Sequence, residues 1–173
     1  FRSSTSTWDV WHKSLGAGQR LVLNDTDDKA STSSYQIVNS TTFDVHAGNN
    51  DNNVTMIAFC WSEIPGFSKF GIYDGNSSND GPFVELGFRP ALLLIKRYDS
   101  SGNWIIVDSK RNSFNVVDNQ LLPNLGDGDY TEAAIDLVSN GFKVRLGTSG
   151  HVNIYDFVYC AWAESPFKYS NAR

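Results

Sequence analysis

The chain has little of what marks several protein classes. Lysine and arginine total 14 against 19 aspartates and glutamates, a formal charge of −5 over 173 residues. A nucleic-acid surface needs clustered cations, and only Lys96-Arg97 and Lys110-Arg111 stand side by side, so no nucleic-acid partner is expected. No apolar run approaches the roughly 20 residues of a membrane helix; Ala91–Ile95 is a strand's worth, and no membrane insertion is expected. A charged-then-apolar leader is missing too. The chain opens on Phe1 in the polar text FRSSTSTWDV, which suggests a mature fragment or the C-terminal part of a longer polypeptide.

Histidine and cysteine are equally sparse. His12, His46 and His151 are far apart, and neither an HxH nor an HExxH pattern occurs, so metal ligation has no starting point in them. Nucleophilic hydrolysis and nucleotide binding lack theirs, a Gly-x-Ser-x-Gly elbow and a glycine-rich loop before a helix. Cys60 and Cys160 each fall in an apolar run, one residue out of step when the runs are aligned. That phase weakens a disulfide and favours two buried free thiols.

What the chain has in quantity is alternation of period two. Candidate strands are Thr7–Lys13, Arg20–Asn24, Tyr35–Val38, Thr42–His46, Val54–Ser62, Ser68–Asp74, Pro82–Leu86, Ala91–Tyr98, Asn103–Ser109, Ala133–Val138, Gly141–Leu146 and Val152–Ala163. Turn-forming text separates them, such as GNNDNN at 48–53, DGNSSNDG at 74–81 and GDGD at 126–129. A dozen short strands with polar turns predicts an all-β, two-sheet antiparallel sandwich of jelly-roll or lectin-like shape. One domain spanning 1–173 is the simplest reading of this length.

The chain also repeats itself. IAFCWSEIPGF at 57–67 returns as VYCAWAESPF at 158–167, Phe43-Asp44-Val45 as Phe142-Lys143-Val144, and Trp8 with Val10-Trp11 as Trp104 with Ile106-Val107. The sandwich is therefore expected to be built from two related halves, about 8–70 and 104–172, joined by a bridge over 71–103. Val54–Trp61 and Phe157–Trp162 are apolar on both alternating faces, so both are expected as central strands. Trp8 and Trp104 are expected in the core, as repeated tryptophans are.

Candidate chemistry is thin. Glu63 and Glu164 hold equivalent places, but SEI and AES offer one acid each, and pseudo-twofold equivalence need not bring two carboxylates within the about 5–10 Å that glycoside cleavage requires. Strand-end pairing is the simpler role. Calcium takes several oxygen ligands, for which Asp25, Asp27, Asp74, Asp80, Asp127 and Asp129 are weak structural candidates; none stands in the spaced twelve-residue loop, and Asp and Asn also populate turns for backbone reasons. Aromatics near strand ends, Trp8, Trp11, Tyr35, Tyr73, Tyr98, Trp104 and Tyr130, offer faces for pyranose rings. With the Asn and Asp loops they give a candidate glycan-contact set of Tyr35, Asn50, Asn52, Tyr73, Asn76, Asp80 and Tyr130. Four Asn-x-Ser/Thr sites, at Asn24, Asn39, Asn53 and Asn76, arise by composition.

The run SKFGIYDGN, then GPFVELGFRPALLLIKR, GNWIIVDSKRN, LVSNGFKVR and SPFKYSNAR resembles a domain family of tail and other virion proteins of marine bacteriophages. Several spaced motifs occur in order, from Trp8 onward. The chain departs where that family has a glycine after Gly75-Asn76, since Ser77 stands there, which bears on the turn geometry. The resemblance implies a β-rich virion-surface or fibre module, outside the cell, and supplies no catalytic residues. The expected function is a non-enzymatic structural part of a virion, of tail-fibre or capsid-decoration type, associating with itself and other virion proteins and needing no cofactor. The alternative is a carbohydrate-binding module that recognises a host glycan. Recognition would fall to loops 24–34, 47–53, 74–81 and 126–130.

Overall fold

The computed structural model describes residues 7–32, 35–37, 41–45 and 55–165, with the side chains of 35–37 left aside. Thirteen strands lie in them: β1 (Asp9–Val10), β2 (Gln19–Val22), β3 (Ala30–Ser31), β4 (Tyr35–Ile37), β5 (Phe43–Val45), β6 (Ser68–Asp74), β7 (Phe83–Glu85), β8 (Pro90–Arg97), β9 (Trp104–Asp108), β10 (Val117–Gln120), β11 (Tyr130–Val138), β12 (Gly141–Val144) and β13 (Asp156–Ala163). All pairings are antiparallel. No described helix is long and apolar enough to cross a membrane.

Two four-stranded sheets form the sandwich, in the orders β6-β13-β8-β9 and β10-β11-β12-β7. Alternation sends Tyr73, Leu93, Ile95, Ile105, Val107, Phe157 and Tyr159 from the first sheet against Val84, Val117, Ile135, Leu137, Phe142 and Val144 from the second, all buried in one core. Tyr73 sits at its centre, stacked on Phe157 and edge-on to Phe142. Gly71 is required opposite Tyr159, whose hydroxyl would lie 2.7 Å from a Cβ there. One flank of the sandwich is joined by the bridge between Ile106 and Leu121.

The outer face of the first sheet is also apolar. Beneath β1, β2 and β3, which form their own small sheet, Leu21, Trp104 and Val158 make a second core with Val10, Leu15, Leu23 and Leu94 packed around it. His12 fastens the layer: its Nδ1 accepts the Ser14 amide, so Nε2 carries the proton and donates to the Tyr159 carbonyl at 3.1 Å. Burial lowers its pKa, which favours this neutral form.

The two halves read from the sequence share several local features. Val10 pairs with Leu21 as Ile106 pairs with Leu121. The Trp8 amide donates to Asn24 Oδ1 at 2.8 Å, and the Trp104 amide to Asn124 Oδ1 at 2.9 Å. Four residues past each tryptophan, His12 and Asp108 accept an amide two residues on. The β4–β5 hairpin sets Ile37 opposite Phe43 and Tyr35 opposite Val45, as β11–β12 sets Leu137 opposite Phe142 and Ile135 opposite Val144.

The copies differ where strands flank them. Phe157–Trp162 is central as expected, with β6 and β8 on either side. Of the expected central strand Val54–Trp61, residue 54 lies outside the described residues and 55–61 form no strand, only a β-bridge at Met56, with Ile57, Phe59 and Trp61 50%, 62% and 63% exposed. Cys60 is accordingly exposed rather than buried, while Cys160 is half-buried and both thiols are free. Trp104 is core but Trp8 is 40% exposed. Thr7–Lys13 shortens to β1 because the His12 cap turns the chain into a 3-10 turn at Lys13–Leu15. Sequence reading passes over β3 and the polar β10, which is held by pairing with β11.

Candidate binding surface

Three of the four loops singled out from sequence gather at one end of the sandwich; 47–53 lies outside the described residues together with Asn50 and Asn52. Loop 24–28 meets the turn after β8 through the Gly102 amide on the Thr26 carbonyl and the Lys29 amide on the Tyr98 carbonyl. Loop 74–81 is stitched to 145–155, and Tyr130 reaches it through an edge contact with His151.

Sequence reading missed the organiser of this end, Asn153. Fully buried, it receives the Asn76 amide on Oδ1 at 3.0 Å and donates through Nδ2 to the Ser78 and Leu146 carbonyls. A single Asn in the text HVNIYD carries no period or motif that would flag it. Its backbone is so close to Gly75 that a Cβ there would lie 1.8 Å from the Asn153 oxygen. Ser77 takes a left-handed φ of 54°, so the turn keeps the conformation a glycine would adopt easily.

The calcium candidates are dispersed. Asp25 and Asp27 border a loop whose cation is a lysine: Lys96, fully buried, donates to the Thr26 and Gly102 carbonyls at 2.9 and 2.6 Å. Burial pulls its pKa down to about 8 against the opposing pull of Asp27 and Asp28. Asp80 is paired with Lys143 at 2.6 Å, which lowers its pKa, and Asp129 with Arg111 at 2.8 Å. Asp74 faces Asp156 across β6 and β13, and burial followed by Asp74 and Asp99 raises the pKa of Asp156. Among the described residues no three acidic, histidine or cysteine side chains converge as metal ligands, and the exposed Asp127 joins none of the other five.

Of the glycan-contact set, Asn76, Asp80 and Tyr130 are exposed at this end. Tyr73 must be withdrawn: it is a core residue whose hydroxyl donates to the Val152 carbonyl at 2.9 Å, because its place on β6 points inward. Tyr35 lies on β4 with its side chain outside the described residues. Glu63 and Glu164 each have a cation of their own, Lys13 and Arg89.

An antiparallel β-sandwich with one end of polar, interlocked loops is the class these features define. Residues 1–166 match the profile of the family described as "Domain of unknown function (DUF7483)", and the chain belongs to that family. No curated protein and no solved structure matches it.

Proposed function

We propose that the chain is a structural, non-enzymatic module of a bacteriophage virion surface, of tail-fibre or capsid-decoration type. The observation that supports this reading is the use made of the residues in the motifs that carry the resemblance. Gly71, Gly75 and Gly141 admit Tyr159, Asn153 and the Val84 carbonyl. Lys96 and Trp104 are buried, the indole donating to the Val22 carbonyl at 2.7 Å. Asp108 accepts from the Lys110 and Arg111 amides and the Arg111 side chain. The Asn140 carbonyl accepts from Leu86 and Gly87. Motifs spent on holding sheets and turns suit a rigid part whose exposed loops are free to vary.

A carbohydrate-binding role at the loop end is the second reading, favoured by the exposed Tyr130 standing edge-on to His151 and by the exposed Asn76 and Asp80 of loop 74–81. The experiment mixes labelled chain with host cell envelopes and, separately, with particles stripped of it, with free sugars as competitors and calcium present or chelated. Assembly on itself or on stripped particles is expected. Saturable envelope binding abolished by sugars would replace the structural reading with host recognition.

A further inference from the structure

Phe114 is the most exposed large apolar side chain among the described residues, at 85%, and Val116 close by is 39% exposed. The segment that carries them is clamped on both sides. Asn112 accepts the Asn119 amide on Oδ1 at 2.9 Å and donates through Nδ2 to Asp118 at 2.7 Å. Asn115 accepts the Leu137 amide on Oδ1 at 2.9 Å and donates through Nδ2 to the Leu137 carbonyl at 3.0 Å, pairing with β11 much as a strand would. A loose loop could fold such a side chain back onto the protein. This one holds it in water, which is how an aromatic anchor is preorganised for a partner.

The same molecule has a place for a phenyl group. An open cavity of about 210 Å³ is walled by Pro65, Leu86 and Phe88, with Glu63 and Lys69; roughly 150 Å³ is enough to hold benzene. Charge suits the match. Lys110, four residues ahead of Phe114, is exposed and has no ion pair among the described residues. Beside the cavity Glu63 is paired with Lys13 and Lys69 donates to the Glu85 carbonyl, while the exposed Glu85 carboxylate is left for a cation from outside. Phe114 and the cavity cannot meet within one chain. Phe114 stands just ahead of β10 and the cavity lies at the exit of β7, and these strands are the opposite edges of one four-stranded sheet, three strand spacings or about 14 Å apart. We propose that Phe114 enters the Pro65–Leu86–Phe88 cavity of a second copy. Each copy then gives a phenyl group to one neighbour and receives one from another, a heterologous contact that repeats into a closed circle or a row. The inference deepens the structural reading above and rests on it, since it names the surface by which the module associates with itself.

The test follows sedimentation over a concentration series for the natural chain, for Phe114→Ser, which loses the anchor, and for Pro65→Trp, which fills the cavity. Both sites are exposed, so both variants keep the fold, as thermal melts check. The natural chain is expected to gain mass with concentration, and either variant alone to associate at least about 30-fold more weakly. Mixed one to one, the variants should form pairs and nothing larger, because one brings the cavity and the other the phenyl group. Association that either variant retains in full overturns the inference and leaves the structural reading standing on another surface, such as the exposed Phe59 and Trp61. A mixture that forms no pairs overturns it as well. So does a natural chain that stays single at every concentration; its assembly on stripped particles then tests the structural reading separately, and assembly that Phe114→Ser loses would make another virion protein the occupant.

Discussion

Residues 55–62 and 156–163 are close in sequence and opposite in circumstance. Both are apolar on two faces, both run on into Trp-x-Glu, and their tryptophans touch, Trp61 and Trp162 meeting edge to face with ring centroids 6.0 Å apart. One forms the middle of a sheet; the other lies on the surface. Strand character in the sequence therefore encodes a demand for neighbours, while the neighbours themselves are encoded elsewhere, here in the bridge. The local parts of the duplicated half, its clasp, ladder and hairpin, form in both copies because their partners lie within the same half.

The comparison breaks most visibly at the repeated tryptophans. Trp104→Ala removes a fully buried indole and its bond to the Val22 carbonyl, and is expected to cost about 3–5 kcal/mol. Trp8→Ala, at a 40% exposed site, is expected to cost about 1 kcal/mol. Urea denaturation midpoints of the two variants measure the asymmetry, and equal losses would mean that the first half is as well packed as the second.

Lys96 joins the halves, since it comes from the bridge and grips Thr26 of the first half together with Gly102 before the second. Its folded pKa of about 8 lies below its ordinary 10.5. Between these values the unfolded chain holds a proton that the folded chain has lost, so this group's contribution to stability rises with pH, by at most about 1.4 kcal/mol per unit. Stability measured from about pH 7.5 to about pH 10 should climb more steeply in the natural chain than in Lys96→Met. Parallel curves would mean that Lys96 is solvated and the loop is held by other contacts.

The legible and illegible parts of the molecule divide along the same line. Ser68–Asp74 was readable to the residue because alternation and two flanking turns define it locally, and the duplication was readable because it is a property of the text. Tyr73 as a core residue, Asn153 as the organiser of the loop end and Lys96 as the cation of an aspartate-rich loop depend on what the fold brings opposite them from 79, 77 and 70 residues away. Exposure of Phe59 was illegible for the converse reason: its sequence specifies a strand, and only the arrangement of the sheets reveals that no described strand pairs with it.

The Trp–Asn clasps sharpen the comparison further. Asn124 is half-buried and bonds Asn103 as well as the Trp104 amide, so Asn124→Ala is expected to cost about 1–2 kcal/mol. Asn24 is exposed and water can take its place at the Trp8 amide, so Asn24→Ala should cost about 0.5 kcal/mol. Chemical denaturation of each variant and of the double mutant gives the two costs, which should add, since the clasps share no partner.

The smallest effect concerns the turn at Ser77, after Gly75-Asn76. Ser77 holds a left-handed φ of 54°, a conformation costing a non-glycine residue roughly 1–2 kcal/mol. Its amide still donates to the Asn153 carbonyl at 3.2 Å, a bond that glycine would keep. Glycine brings its own loss, about 0.5–1 kcal/mol of extra backbone entropy on folding, so Ser77→Gly should raise stability by only about 0.5 kcal/mol, and Ser77→Ala should not raise it at all, because alanine shares serine's strain. A thermal melt comparing the three chains decides the matter: equal gains from glycine and alanine would trace the effect to the lost hydroxyl, and a loss with glycine would mean that the serine side chain itself braces the loop end.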